Sequence, residues 1–270
     1  DLDKYSVVAV GIDRHGAWHL AEAAMTALDR GPSALPERLE ASGREVASAP
    51  LLSAAASTGP IVVVPLLHGP LGEDGTIQGL LELLDIPYVG TGVLGSALGM
   101  DKAMAKNVLA SCAIPQPRFR SLRAHLVTPS LLSDVIDDLG LPLFVKPANM
   151  GSSVGVSHAD SAGAVVDAVA LASRYDNWIV IEETVRAREI EVSVLGNRTP
   201  RASLPGEITP SKDFYDYADK YEDDAATLTV PAHLTPEETA EVRELALRAY
   251  VTLRCEGMAR SEEHTSELQS

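Results

Sequence analysis

Two short segments of the chain combine residue types that suit the binding of a phosphorylated ligand. The first spans residues 68–75 and reads HGPLGEDG, and the second spans residues 144–156 and reads FVKPANMGSSVGV. Gly and Ser allow the main chain to turn tightly and to point several N–H groups at one position. Lys146 adds a compact positive charge beside that turn. The second segment therefore predicts a phosphate-binding loop over residues 149–155, which include Gly151 and Ser153.

This loop differs from two common nucleotide-binding motifs. It is not a Walker loop, because no Gly-Lys-Ser/Thr follows it. It is not a dinucleotide fingerprint either, because it joins two predicted strands instead of a strand and a helix. The alternative interpretation is an ordinary hairpin that leaves Lys146 exposed.

His68 follows the apolar run 61–67, so it lies where a predicted strand ends. Ligands often bind at that position in α/β folds. Glu73 and Asp74 then precede a predicted helix whose N-terminus favours anions. The alternative interpretation is a turn followed by a helix cap.

Carboxylates end another predicted strand. Residues 178–183 form an apolar run that finishes in Glu182 and Glu183, and Glu189 and Glu191 lie beyond it. Such carboxylates can accept hydrogen bonds from an adenine amino group or from ribose hydroxyls, or they can simply be solvated. Further on, the long polar loop 205–224 carries Lys and Tyr, which suits either a lid that excludes water or a mobile surface loop.

Strands and helices alternate along the chain, which indicates an α/β or α+β fold. The helix from Pro236 has the clearest signals, since Thr235 and Glu238 form a capping box and Gly257 is a candidate stop. Strands are predicted over residues 6–12, 61–67, 143–146, 154–158, 178–182 and 191–195. Helices are predicted over residues 76–84, 101–112, 130–139, 162–173 and 236–254.

Bulk properties narrow the class of protein. The net charge of −16 over 270 residues argues against nucleic acid as a partner. No apolar run is long enough to predict a membrane span. The two cysteines are too few for a disulfide framework, which favours a reducing compartment and predicts a cytoplasmic protein.

Together, these motifs closely resemble those of bacterial D-alanine–D-alanine ligases. The resemblance covers nearly all of residues 1–260. Its segments are residues 68–106, 145–156, 189–197, the loop motifs at 206–208, 214–217, 220–221 and 231–232, and residues 257–260. The resemblance implies an ATP-grasp fold of the α/β class with α+β lobes. We expect an incomplete Rossmann-like N-terminal lobe over 1–97, a central lobe over 98–185 and an incomplete C-terminal lobe over 186–260, with the omega loop at 205–224.

The reaction implied by the resemblance supplies a precursor of peptidoglycan, and hence serves cell-wall biogenesis. ATP phosphorylates the carboxylate of one D-alanine, and the amine of a second D-alanine attacks the acyl phosphate. ATP and Mg²⁺ or Mn²⁺ are the implied cofactors, and a homodimer is the implied assembly. The pair Lys220-Tyr221 favours D-alanine as second substrate, since related ligases that accept D-lactate lack it.

The resemblance also implies a role for each site residue. Lys102, Lys146 and the loop would contact the ATP phosphates, and Lys220 would contact the transferred group. Glu182, the main chain of Val185, and Glu189 would hold adenine and ribose. His68 would lie near the first D-alanine. Ser152 and Tyr221 would fix the omega loop and the second substrate, and Arg260 would stabilise the oxyanion and the phosphate.

The chain departs from the family pattern at both ends. A first strand and a Gly-rich turn are expected before residue 1. After Arg260, the family has an apolar segment with a metal-binding Asp, followed by a Glu and an Asn. Here residues 261–270 read SEEHTSELQS, which shows no apolar strand pattern and resembles a translated sequencing adapter. We therefore expect a foreign tail, no native metal ligands, and no turnover by the chain as written.

Two alternatives remain open. The chain is a nucleotide-binding fragment without catalysis, or it is another carboxylate–amine ligase of the same fold, such as a D-alanine–D-lactate ligase.

Overall fold

The structure is a computed structural model that describes residues 4–30, 41, 43–185, 187–209 and 227–264, with the backbone alone at 28, 29, 58, 263 and 264. The chain divides into two compact units. The smaller consists of Asp1–Val62 and Leu83–Pro87, and the larger consists of Val63–Glu82 and Tyr88–Ser270.

The smaller unit contains a three-stranded antiparallel sheet. Asp13 closes the turn between its first two strands, because the carboxylate accepts hydrogen bonds from the main-chain N–H groups of His15 and Ala17 at 2.8 and 2.9 Å. The predicted strand over 6–12 is therefore confirmed only in its last three residues. The elements in chain order are β1 (Val10–Ile12), β2 (Trp18–Leu20), α1 (Glu22–Arg30), β3 (Glu45–Val46) and α2 (Ser48–Thr58), with sheet order β1-β2-β3.

The predicted strand over residues 61–67 is wrong. Within the described residues, this segment makes a single isolated bridge, between Val63 and Tyr88. Val64 and Leu66 are 58% and 81% exposed. A run of β-branched and apolar residues favours extended backbone, but a strand also needs a neighbouring strand to complete its hydrogen bonds.

Three helices follow, which belong to the larger unit except for Leu83: α3 (Thr76–Leu83), α4 (Val93–Met100) and α5 (Lys102–Ser111). Asp101 caps α5, since its carboxylate accepts a hydrogen bond from the N–H of Met104 at 2.9 Å. This cap fixes Lys102 as the first residue of the helix. Helices α3 and α5 confirm the predictions over 76–84 and 101–112.

The central sheet is antiparallel and is covered on one face by two helices. Its inward residues Leu143, Val145, Ile179 and Ile181 are fully buried against those helices. Alternation along the strands turns the neighbouring residues to the other face, where α5 packs. The elements are β4 (Phe119–Arg123), a 3₁₀ helix (Ala124–Leu126), α6 (Pro129–Leu139), β5 (Leu143–Pro147), β6 (Ser157–Ala159), α7 (Ala162–Ala172) and β7 (Trp178–Glu183), in sheet order β4-β7-β5-β6.

The last sheet packs against a long helix through Ile190, Val192 and Val194. Its described strands are β8 (Glu189–Leu195), β9 (Arg201–Ala202), β10 (Gly206–Thr209), β11 (Thr227–Thr229) and β12 (Met258–His264). The sheet order is β11-β10-β8-β12, and β9 also pairs with β8. Each named strand pair of the described residues is antiparallel, which gives this unit α+β lobes.

Helix α8 (Pro236–Thr252) confirms the predicted capping box. The Thr235 hydroxyl accepts a hydrogen bond from the N–H of Glu238 at 3.2 Å, and the Glu238 carboxylate accepts one from the N–H of Thr235 at 2.7 Å. The helix ends before the predicted stop at Gly257, because Arg254 already adopts a left-handed conformation with φ of 55°. None of the helices in the described part of the chain is long and apolar enough to cross a membrane.

Although residues 261–270 show no apolar strand pattern, residues 261–264 lie in a strand. Strand β12 runs through them and pairs with β8 from Met258 opposite Leu195 to His264 opposite Glu189. Antiparallel pairing joins main-chain N–H and C=O groups, so a polar segment can extend a strand once a neighbour presents its edge. That the tail is foreign, and that the lobes divide near 97 and 185, stay predictions.

Candidate functional site

A buried carboxylate between two lysines forms the centre of the site. Glu182, on β7, has a side chain only 7% exposed. One of its oxygens bonds to Nζ of Lys146, on β5, and the other lies 3.0 Å from Nζ of Lys106, on α5. These side chains meet because β5 and β7 turn Lys146 and Glu182 to the sheet face on which α5 packs.

The two lysines keep Glu182 charged. Burial alone would raise the pKa of Glu182, but the positive charges of Lys146 and Lys106 outweigh burial and lower it below its ordinary value. Lys146 is 25% exposed. Strands β5 and β6 do pair as a hairpin around the loop, as the alternative interpretation predicted, but Lys146 is only partly exposed in it. The interpretation of Glu182 as a solvated charge is wrong.

Lys102 lies at the start of α5 and contacts the loop after β5. Its Nζ donates a hydrogen bond to the carbonyl of Met150 and lies 3.4 Å from that of Ala148. Burial, reinforced by the charge of Lys146, lowers the pKa of Lys102 to about 8. A cation held this far from water is poised to gain from an incoming anion.

The loop from Asn149 to Gly155 turns in left-handed backbone conformations. Ser152, Ser153 and Gly155 have φ of 53°, 57° and 72°. A Cβ at position 155 would lie 2.6 Å from Cδ2 of Tyr175, which is why the close approach there requires Gly. Successive residues that turn this way aim main-chain N–H groups into one concavity, which suits an anion.

Asn149 ties this loop to the start of α5. Its side-chain amide donates hydrogen bonds to Asp176 at 3.1 Å and to Asp101 at 3.2 Å. Its main-chain N–H also donates to Asp176 at 2.7 Å. We call Asn149, Asp101 and Asp176 the loop anchor. Sequence reasoning missed it because these residues are distant along the chain, and no local pattern links them.

The turn that contains His68 lies beside the loop. The Glu73 carboxylate accepts a hydrogen bond from the N–H of Gly69 at 2.5 Å. Glu73 therefore closes a turn, as the alternative interpretation of this segment predicted. A Cβ built on Gly151 would lie 3.9 Å from the Cα of Gly69. The fold thus brings the two segments of the sequence together, and the side chain of His68 is exposed.

Residues of the last sheet complete the described surroundings. Arg260, on β12, lies 3.4 Å from a carboxylate oxygen of Glu191 and 3.5 Å from one of Glu262. Glu191 and Glu262 are opposite each other in the strand register. The negative charge of Glu262 also acts on Lys102, which relates this face to the lysines. Glu189 begins β8, and Val185 lies half-buried in the link after β7.

The structure does not describe two of the predicted site residues. Lys220 and Tyr221 are outside the described residues. Among the described side chains, no three of His, Cys, Asp or Glu converge where they could hold a metal ion. The sequence predicts no role for Lys106, because its i, i+4 spacing from Lys102 indicates a shared helix face but not the carboxylate that it meets.

The larger unit is an ATP-grasp fold, in which two sheet-and-helix lobes carry the lysines, the loop and the facing carboxylates. Two family models match the chain: "D-ala D-ala ligase N-terminus" over residues 1–91 and "D-ala D-ala ligase C-terminus" over residues 108–266. The chain therefore belongs to the D-alanine–D-alanine ligase family, whose members are ATP-dependent ligases.

Individual proteins of this family are similar to the chain over most of its length. The D-alanine–D-alanine ligase of a Thermoanaerobacter species is 44% identical over 266 residues, which cover 96% of this chain and 74% of that protein. Among solved structures, the D-alanine–D-alanine ligase of Coxiella burnetii has a TM-score of 0.75 and 31% identity, covering 100% of this chain and 74% of that one. The VanG D-Ala:D-Ser ligase of Enterococcus faecalis has a TM-score of 0.78 and 27% identity, covering 98% and 78%.

Proposed function

We propose that the intact protein joins two D-alanine molecules into D-alanyl-D-alanine at the expense of ATP, for peptidoglycan precursor synthesis. Membership of the D-alanine–D-alanine ligase family supports the reaction. One observation supports the assignment to this site. Lys102, Lys106 and Lys146 gather around Glu182, and Lys146 lies shortly before the loop whose residues adopt left-handed conformations.

The residues of the site would act mainly by binding and orienting. Lys102, Lys146 and the main-chain N–H groups of Gly151 and Ser153 would bind the ATP phosphates. Such preorganised donors stabilise charge that develops in the transition state. Glu182, Glu189 and the main chain of Val185 would receive adenine and ribose, at the junction of β7 and β8.

The amino-acid substrates would lie next to the phosphates. His68 would adjoin the first D-alanine, whose carboxylate oxygen attacks the γ-phosphorus and expels ADP, which leaves an acyl phosphate. The neutral amine of the second D-alanine then attacks the acyl carbon, loses a proton to solvent, and phosphate leaves with its bonding electrons. Ser152 and Tyr221 would orient this amine, while Arg260 and Lys220 would stabilise the negative oxygens.

Mg²⁺, or Mn²⁺, bound to ATP would neutralise part of the phosphate charge. The described side chains contain no group of three metal ligands, so we assign no step to the metal. We further propose that the intact protein works in the cytoplasm as a homodimer, without nucleic acid or membrane partners, in keeping with its small soluble substrates and its net charge of −16.

The test is to express the protein from its own start codon to its own stop codon and to measure phosphate release from ATP and Mg²⁺. Reactions contain D-alanine alone, or D-alanine with D-serine or D-lactate, and mass spectrometry identifies the product. Phosphate release that depends on D-alanine, with D-alanyl-D-alanine as product, is expected. No D-alanine-dependent release would refute the proposal.

The D-serine reaction has a specific purpose, because the chain resembles the VanG D-Ala:D-Ser ligase in structure. A mixed product in preference to D-alanyl-D-alanine would reassign the second substrate and leave the ligase chemistry intact.

A further inference from the structure

The two lysines on Glu182 differ in their surroundings. Lys146 is 25% exposed and directly precedes the loop of residues 149–155. Both lysines lie over an aromatic ring, Lys106 at 5.0 Å from the centroid of Phe119 and Lys146 at 5.3 Å from that of Phe144, but Lys106 is only 15% exposed. Lys106 is thus the more enclosed of the pair, and Lys146 is the one beside the proposed phosphate site.

A phosphate that attracts Lys146 takes a cation away from Glu182. A carboxylate with a side chain 7% exposed is costly to leave without a positive partner. Among the described residues, the cations near Glu182 are Lys102 and Lys106 from α5 and Lys146 from β5, and the carboxylate of Glu183 follows Glu182 on β7. The β4 residue opposite Glu182 is the uncharged Phe119. Lys102 already donates to the carbonyl of Met150, so Lys106 is the cation that can stay on Glu182.

We propose that Lys106 is a positioning residue that keeps Glu182 ionised and fixed while Lys146 transfers from this carboxylate to a nucleotide phosphate. The inference rests on the proposed function, because it takes Lys146 as a phosphate-binding residue. Glu182 is then a resting partner for Lys146 between binding events. Without Lys106, release of Lys146 would require Glu182 to take up a proton from solvent.

Proton uptake on ATP binding is therefore the decisive measurement. Isothermal titration calorimetry of the 270-residue chain with metal-free ATP, in two buffers of different ionisation enthalpy, counts the protons bound. We choose about pH 6.5, well above the ordinary pKa of a carboxyl group and below the pKa of Lys102. The terminal phosphate of metal-free ATP itself titrates near this pH, so every proton count is read relative to the wild-type chain, which Lys106→Arg should match.

Lys106→Met should behave differently. It should take up a substantial fraction of one proton and bind ATP roughly tenfold more weakly, equivalent to about 1.4 kcal/mol. Lys146→Met should also bind ATP more weakly but without proton uptake, because Glu182 keeps Lys106. The matched control is Arg120→Met, which removes an exposed ion pair to Asp138 on the same sheet and should match wild type.

Several results would overturn the inference. The first is a Lys106→Met chain that binds ATP with wild-type affinity and no proton uptake. The second is weaker binding that lacks proton uptake and is not rescued by Lys106→Arg, which would make Lys106 a packing residue. If Lys106→Met does not fold, as judged by thermal unfolding, Lys106→Gln replaces it under the same criteria. A wild-type chain that does not bind ATP refutes ATP binding at this site, and the inference falls with it.

Discussion

Lys102 makes the proposed site sensitive to pH above neutrality. Burial and the charge of Lys146 lower its pKa to about 8, so it loses its proton as pH rises through that value. ATP phosphates favour the protonated form and raise the pKa again on binding. Below about pH 7 Lys102 stays protonated, so its titration should not affect ATP affinity. Above about pH 8 the affinity should fall, by at most tenfold per pH unit.

The measurement is the dissociation constant of ATP between about pH 7 and about pH 9. A lysine with an ordinary pKa stays protonated over most of this range. Lys102→Arg is the matched variant, because a guanidinium stays protonated throughout. It should flatten the profile. An equally steep decline in that variant would assign the pH dependence to another group.

Lys146 supports a second prediction at this scale. In the intact enzyme, Lys146→Ala removes a cation from developing phosphoryl charge, and by analogy with the loss of one oxyanion donor it should cost roughly 2.7–4 kcal/mol in the transition state. Steady-state kcat/KM measures this, with Arg120→Ala as a control outside the site. A loss of less than tenfold would mean that Lys146 is not a phosphate ligand.

The sequence indicates candidate residues where one contiguous segment carries them, as it does Lys146, Gly151 and Ser153, whose roles stay predictions. It does not indicate contacts that only tertiary packing brings about. Lys106 ends the segment 68–106 of the family resemblance, but its ion pair with Glu182 depends on how α5 packs across β7, which residue spacing does not reveal.

For helices and strands, the accuracy of the prediction depended on whether the element's own sequence contains the features that determine it. Helix α8 was predicted from its own capping box and its apolar spacing. Strands depend on a neighbour, so residues 61–67 formed no strand despite their composition, and residues 261–264 formed one despite theirs. The strands β5 and β7 were predicted correctly because burial on the core face left a clear apolar signal.

The loop anchor gives a prediction about how elements are joined. Asn149→Ala removes two hydrogen bonds to carboxylates and should lower the free energy of unfolding by about 1–3 kcal/mol. Because the anchor joins the loop to the helix that begins with Lys102, ATP affinity should fall as well. Denaturant unfolding and ATP titration measure the two effects.

Two further variants sharpen this test. Asn149→Asp should destabilise more than Asn149→Ala, because it adds a third negative charge beside Asp101 and Asp176. Asn177→Ala, at an exposed position nearby, should leave both quantities unchanged. Equal stability of Asn149→Ala and Asn177→Ala would show that the anchor contributes nothing.

For the whole molecule, the distribution of charge matters more than its sum. The chain carries −16, yet three of its six lysines gather around Glu182. An anionic nucleotide therefore meets a local positive site on an acidic protein. The last sheet brings the carboxylates of Glu191 and Glu262, which pair with Arg260, and the charge of Glu262 also acts on Lys102.

This arrangement predicts that residues 1–270 alone bind ATP without turning it over. Transfer of a phosphoryl group to a carboxylate gathers several negative charges, which enzymes of this type neutralise with Mg²⁺. Among the described residues, no three potential ligands converge on a metal position, and Glu191 and Glu262 pair with Arg260. The assay is phosphate release with ATP, Mg²⁺ and D-alanine, run beside ATP calorimetry, with the protein expressed from its own start to its own stop codon as positive control. Turnover above the background without enzyme would show that residues outside the described set, or Glu191 and Glu262 released from Arg260, hold the metal after all.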